Sequence, residues 1–468
     1  MPVEVGSEQL LGGLRAAAER AADRGGRALV SATVALDPGV DPASISFGSR
    51  RADDRWFCWE RPADGFGLAG IGTALEVVSR GPDRFDDTAR GCAEALSDRV
   101  ADEPPELPGG AGPVWTGGFS FDPQGATEAK WSSLPPALMV MPELSLLRHG
   151  EEAFLTAAMA LERGADPALA IDRIRARLAS LTEAALTPPD PHPSGATRIA
   201  GRHSPEHYER IVSAAVERIG AGELQKVVLA RELEVEAPSA HDPAALFGAL
   251  RDLFPACFCF CFGTPEAAFM AASPELLVRR SGAVAATVAL AGTTGRSADP
   301  AVDDHLGEAM LRSPKVRNEH GIVVDRIERS LRAHAVWVHP ESEPAVVRVG
   351  NLQHLATPIR AQLAESRSAI DLAGRLHPTP AIGGEPREPA TRMIRELEGI
   401  DRGWYSGPVG WMDAAEDGEF CVGLRSALIR DRHAHLFAGN GIVAASDPAD
   451  ELAETELKFA VWLPLLTG

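Results

Sequence analysis

SPEHYERIVSAAVERIGAGELQKVVLAREL, residues Ser204 to Leu233, decides the reading of the fold. Ser204-Pro205 has the chemistry of a helix cap followed by a first helical residue. Tyr208, Ile211, Val212, Ala215 and Ile219 then recur at helical spacing up to Gly220 and Gly222, where the helix stops. A strand follows at once, Gln225 to Leu233, and Phe420 to Ile429 reads as another. Helices and strands are mixed without the regular alternation that builds a parallel sheet. The expected class is therefore α+β with a mainly antiparallel sheet.

Outward from that stretch, a Pro-rich run from Leu186 to Arg202 (Pro188, Pro189, Pro191 and Pro193, with Gly195 and Gly201) divides the chain. Residues 1–200 read as the N-terminal half of the fold and residues 201–468 as the motif-dense region. With 468 residues, one large unit or two intimate halves is expected. The first part offers a helix near Leu10 to Arg24, strands near Trp56 to Glu60 and Val114 to Phe121, a loop from Pro104 to Pro113 and a helix near Asp166 to Leu181. Gly65, Gly67, Gly70 and Gly72 lack the strand before and helix after that a phosphate loop needs, and read as a turn-rich loop. Cys257, Cys259 and Cys261 alternate with Phe258, Phe260 and Phe262, the pattern of a strand with thiols on one face and rings on the other. Thiols two residues apart on a strand are separated by roughly 6.6 Å, too far to share one metal ion comfortably.

Composition limits the partners. Hydrophobic residues make up 45% and charged residues 24%, ordinary globular usage. The formal charge of −20, from 46 Lys+Arg against 66 Asp+Glu, argues against a nucleic-acid surface, so any anionic ligand must meet a local positive site. No apolar stretch approaches the roughly 20 residues of a membrane span, and Met1 to Leu10 lacks a signal core. A cytoplasmic protein with no membrane partner is expected. Six cysteines in so long a chain make no disulfide framework.

Several residues could carry chemistry. Lys226 shares a strand face with Val228 and Ala230, and desolvation there favours the neutral amine, a base; a strand-edge lysine with its head in water is the alternative. Glu275, in Ser273-Pro274-Glu275 before an apolar run, is either an acid kept protonated by burial or a turn glutamate. A helix beginning at Ser313-Pro314 carries Glu319 and His320. Another, from about Asp450, places Glu451, Glu454 and Lys458 within about 60° on one face. Carboxylates beside a lysine suit a hard cation such as Mg²⁺ with an anionic ligand, or form a solvated face with internal ion pairs. Arg425 faces the same way as Cys421, Gly423 and Ala427, leaving room for a carboxylate ligand or a structural salt bridge. Glycine-rich turns at Ala291-Gly292-Thr293, Ile382-Gly383-Gly384 and Gly439-Asn440-Gly441 could present N–H groups to an anion.

Taken in order, QKVVLAR, SPELLV, ALAGTTGR, RNEHGIVV, LHPTPAIGG, GWYSGPVGW, VGLRSALI, AGNGIV and ELAETELKFA resemble the chorismate-utilising enzymes, the family of isochorismate, salicylate, anthranilate and aminodeoxychorismate synthases. The resemblance covers Ser204 to Leu463, and WTGGFSFD (Trp115 to Asp122) adds a looser match. It implies the fold of anthranilate synthase component I, with large antiparallel sheets packed centrally and helices outside, and a monomer. Chorismate is the implied substrate and Mg²⁺ the implied cofactor, held by Glu319 and Glu454 with Glu451 close by. Gly292, Thr293, His377, Tyr405, Arg425, Gly441 and Lys458 are the implied substrate-binding residues. Lys226 resembles the lysine of the water-adding members and Glu275 the acid that helps the ring hydroxyl depart. Pro380-Ala381 after Thr379 resembles the isochorismate-forming branch, which feeds menaquinone or catechol siderophores; the substantial N-terminal half leans toward menaquinone. A salicylate synthase that also expels pyruvate, or an inactive chorismate-binding regulator, are the alternatives.

Overall fold

A computed structural model describes residues 6–22, 28–162, 164–190 and 195–467. The C-terminal end expected for the first helix, at Arg24, and the centre of the Pro-rich run, residues 191–194, lie outside the described residues. Among those described, 13 strands form one sheet and 10 form a second. Pairing is antiparallel throughout except where Ala28–Leu36 meets Val100–Asp102. None of the described helices is long and apolar enough to cross a membrane.

The two sequence halves share both sheets. Trp56–Arg61, from the first half, pairs with Phe258–Gly263, from the second. Val114–Phe119 likewise pairs with Pro408–Asp413. Side-chain parity explains how the sheets stack. Cys58, Cys259 and Cys261 point from the larger sheet toward helices Ser7–Ala22 and Pro243–Leu253, joining Leu14, Leu246 and Leu250. Phe57, Trp59, Phe260 and Phe262 point the other way, into an aromatic core with Trp404, Val409 and Trp411 of the facing layer. A one-residue slip would exchange thiols and rings, so the size difference itself defends the register. On the far side of the smaller sheet, Val323, Ile327 and Leu331 of helix Pro314–Arg332 pack with Ile370 and Leu372 of helix Ala369–Leu376.

Two local expectations are corrected. Gly65 to Gly72 is not a turn-rich loop: Phe66–Ile71 is a buried strand, bounded by Gly65 and Gly72 at φ +64 and +74. Its interior Gly70 is required by Pro142, which lies 2.3 Å from where a Cβ would stand. The strand expected over Phe420 to Ile429 is two strands, Gly418–Val422 in the smaller sheet and Ser426–Arg430 in the larger. Arg425 therefore sits in a crossover between the layers rather than on a continuous face.

The strand that carries Lys226, Lys226–Glu236, pairs along its length with His433–Ile442. Its other edge is covered by Gly384–Glu385 at Lys226 and Val227, and by Arg198–Gly201 only from Leu233 onward. Two side chains and one backbone carbonyl close part of the gap. Ala230 N–H donates to Glu398 Oε1 (2.7 Å), Val228 O accepts from Arg402 (2.8 Å), and Val228 N–H reaches Gly383 O (2.8 Å). Glu398 and Arg402 also pair with each other, fully buried, with the guanidinium over the Phe121 ring. Removing one partner of such a pair strands the other charge and costs about 3–5 kcal/mol. Glu398→Ala is accordingly expected to lower the unfolding free energy measured in urea by that order, and a value within error of wild type would show that the clamp carries no stability.

Candidate active site

A cavity of about 180 Å³ opens where the Lys226 strand, the crossover at Arg425, helix Pro314–Arg332 and helix Pro448–Phe459 converge. Lys226 and Glu275 both line it and are 1% and 5% exposed. Lys226 Nζ lies 2.9 Å from Glu319 Oε1. Space for that contact comes from Gly441, opposite Val228 in the ladder, where a Cβ would stand 2.6 Å from both Lys226 Cε and Glu319 Oε1. Gly439 and Gly441 thus lie inside a strand, not in the turn expected for them, and their missing side chains make the cavity floor. Burial pushes the Glu275 carboxyl up to about 8, with Lys226 opposing the shift, so Glu275 holds its proton at neutral pH. Its backbone is anchored at both ends, N–H to Ser273 Oγ and carbonyl to Val422 N–H.

Arg425 is 8% exposed and held in the left-handed region at φ +49. It donates to His354 Nε2 (2.8 Å) and to Val349 O (3.3 Å). Because Nε2 accepts that bond, the His354 proton belongs on Nδ1, which lies 3.1 Å from Gly292 O and 3.3 Å from Thr293 Oγ1. Burial, then Arg425 and Lys458, push the imidazole down to about 3, so it stays neutral. Gly292 takes φ +78 at a bulge in strand Val284–Gly295, and Val316 would strike a Cβ there at 2.4 Å.

Glu451 and Glu454, three residues apart on one helix, line the same cavity with Glu319 and Lys458. Lys458 Nζ contacts Glu454 (2.8 Å), Gly439 O (2.8 Å) and Asn440 Oδ1 (2.8 Å). Glu451 is buried and pushed upward, first by burial and then by the neighbouring Glu454 and Glu319, while Lys315 stands 3.9 Å away. No three His, Cys, Asp or Glu side chains among the described residues converge as a closed metal cage. The donor set is nevertheless hard oxygen, and crowded carboxylates of this kind match Mg²⁺, which takes one or two of them plus waters and ligand oxygens.

The cavity brings together Lys226, Glu275, Gly292, Thr293, Glu319, Tyr405, Arg425, Gly441, Glu451, Glu454 and Lys458. His377 is the exception and is corrected: it caps helix Ala369–Leu376, is 1% exposed, and its Nε2 lies 2.9 Å from Phe121 O. Burial and the nearby Arg84 hold its imidazole well below the usual range, as a neutral structural group. Ala381 and Ile382, further along the same motif, line the cavity instead. His320 likewise turns inward, 2.7 Å from Thr357 Oγ1. Sequence reasoning missed Lys315, His354, Ser406 and Phe437. Ser406 lay within the quoted GWYSGPVGW motif beside Tyr405, while Lys315, His354 and Phe437 carried no signal that set them apart.

Comparison with known proteins agrees with this geometry. Residues 16–467 match the family described as chorismate binding enzyme. The chain is 36% identical over 444 residues to the salicylate biosynthesis isochorismate synthase of Pseudomonas aeruginosa, covering 94% of this chain and 90% of the relative. It is 30% identical over 434 residues to the isochorismate synthase MenF of Bacillus subtilis, covering 92% of each. Among solved structures, the menaquinone-specific isochorismate synthase MenF of Escherichia coli superposes with a TM-score of 0.78 at 26% identity, over 96% of this chain and 100% of that one. Anthranilate synthase component I of Streptococcus pneumoniae shares the fold, with a TM-score of 0.66 at 20% identity over 86% of this chain and 92% of that one. By its fold, its cavity and its family match over nearly the whole chain, this protein belongs to the chorismate-binding enzymes.

Proposed function

We propose that the protein is an isochorismate synthase, adding water at carbon 2 of chorismate and expelling the hydroxyl at carbon 4. The observation that carries this reading is a buried lysine sharing one cavity with a carboxyl group that keeps its proton at neutral pH. Lys226 Nζ takes a proton from water as the oxygen bonds to carbon 2. Both ring double bonds shift, the carbon 4–oxygen bond breaks, and Glu275 delivers its proton to the departing hydroxyl, which leaves as water. Substrate and product are isomers of equal charge, so the site should bind both and the reaction should run in either direction.

Arg425, Lys458, Tyr405 and the backbone around Gly292, Thr293 and Gly441 are the groups we assign to the substrate carboxylates. Arg425 suits this role because its two contacts are to a neutral imidazole and a carbonyl. Glu319 and Glu454, with Glu451 close by, are the residues we assign to Mg²⁺, three carboxyl groups that line one cavity. When bound, Mg²⁺ would supply positive charge for the ring carboxylate. The relatives named isochorismate synthases support the same reading.

Incubation with chorismate and Mg²⁺ should yield isochorismate by chromatography, with little pyruvate in a coupled lactate dehydrogenase assay. Salicylate and stoichiometric pyruvate would move the protein to the lyase branch. Lys226→Ala and Glu275→Ala should each cost at least about 10²-fold in turnover with the fold intact; unchanged rates would make both residues structural. Glu319→Gln and Glu454→Gln should abolish turnover, as should excess chelator, and full activity in chelator would remove the metal from the scheme. The proton on Glu275 is lost as pH rises through about 8, so kcat should fall there. The same group binds more protons folded than unfolded between about 4.5 and 8, so its contribution to stability declines across that window and Glu275→Gln should flatten the decline.

A further inference from the structure

We propose that Trp462 is a positioning residue for Arg425: its indole N–H fixes the backbone that aims the guanidinium into the cavity, and so sets affinity for the anionic substrate rather than the rate of the chemical step. Trp462 follows helix Pro448–Phe459, is 2% exposed, and belongs to the core on the helix side of the larger sheet with Phe459, Val461 and Leu466. Packing holds the ring, and its one polar atom, Nε1, donates to Arg425 O at 2.7 Å within that interior. Arg425 lines the cavity and Trp462 does not, so any effect of the indole on a ligand passes through Arg425.

The Arg425 backbone needs such a hold. It stands at φ +49, in the left-handed region that is unfavourable for a residue with a Cβ. It lies one residue before strand Ser426–Arg430 and outside the paired register of both neighbouring strands, so no sheet ladder fixes it. The net contribution of one buried hydrogen bond and the cost of one left-handed residue are of similar size. Loss of the indole N–H therefore removes what offsets the conformation, and it leaves a buried carbonyl unpaired until the crossover turns. Any such turn swings the long side chain away from its present aim.

The same stretch of chain also holds the other end of Arg425. The guanidinium donates to Val349 O and His354 Nε2, on the two sides of the turn between strands Ala345–Val349 and Leu352–Leu363. Asn351, in that turn, donates from Nδ2 to Leu457 O (3.0 Å) in the last turn of helix Pro448–Phe459. At the start of the crossover, Gly423 accepts from Ser406 N–H (2.9 Å) and donates to Gly407 O (2.8 Å), which leaves Arg425 itself to Trp462. One segment, residues 451–462, thus carries Glu454 and Lys458 into the cavity and mounts the guanidinium opposite them. A substrate carboxylate keeps its charge through the reaction, so its contact with Arg425 is equally strong before and during the chemical step. Misaiming that guanidinium weakens binding and leaves turnover nearly intact.

This rests on the proposed reading of chorismate as substrate, and the test separates the two. 3-Benzothienylalanine placed at position 462 keeps the shape of the ring and removes the N–H, whereas 4-fluorotryptophan at the same position keeps the N–H. The first should raise KM for chorismate about threefold to tenfold, the size of one lost hydrogen bond, with kcat within about twofold of wild type. The second should match wild type in both. Trp462→Phe should raise KM likewise and also melt lower, because it removes ring volume from the core. KM within about twofold of wild type for the benzothienyl protein, whatever its melting temperature, would overturn the proposal and leave the bond as core structure. An equal rise in KM with both analogues would overturn it by assigning the effect to ring packing, and a loss carried mainly by kcat would overturn the claim on affinity. Wild-type protein that neither binds nor converts chorismate would instead overturn the functional reading, and this proposal with it.

Discussion

Lys226 lies inside a sheet with its ammonium against Glu319 and 1% of its surface exposed. A buried charge costs several kcal/mol unless it is paired and hydrogen-bonded, so the surroundings must satisfy that demand. Gly441 keeps the space above the strand open, and helix Pro314–Arg332 is placed so that Glu319 reaches in. The strand's other edge cannot be left as bare backbone beside the site. Glu398 and Arg402 close part of it with side chains, a second buried ion pair supporting the first. The requirement of one desolvated lysine thus runs through glycine placement, helix position and sheet-edge closure.

Charge is distributed with the same economy. The molecule carries a formal −20, yet the cavity collects Lys226, Lys315, Arg425 and Lys458 against Glu275, Glu319, Glu451 and Glu454. Three of these cations face carboxylates, Lys226 with Glu319, Lys458 with Glu454 and Lys315 with Glu451. Arg425 faces an imidazole that burial and two cations keep neutral, so its charge is left for a ligand. Glu275 is neutralised in the opposite sense, by its own proton. An acidic protein can therefore receive an anion without a basic surface, because short-range pairing rather than net charge governs a partly buried site.

Much of this is legible in the sequence alone. The helix from Ser204, the strand carrying Lys226 and the Cys/Phe alternation depend on local period and capping, which a sequence displays directly. Glu451, Glu454 and Lys458 fall on one face by helical arithmetic, and the face they share does line the cavity. Failures came where a neighbouring layer decides. Phe420 to Ile429 has a strand's composition at both ends, but Gly423 is wedged against Trp404 O and Gly407 O, and the chain changes sheets there. His377 sits in a motif whose other members reach the cavity, yet Phe121 O captures it.

Periodicity, caps and the order of motifs determined the α+β class, most element positions and the family to which the chain belongs, because these are properties of residues near one another in the chain. Which lysine is paired, which glutamate keeps its proton and which guanidinium is left without a carboxylate were decided only by tertiary structure. Those properties depend on desolvation and on contacts such as Lys226 with Glu319 or Arg425 with His354, between residues 93 and 71 positions apart, which no local pattern encodes.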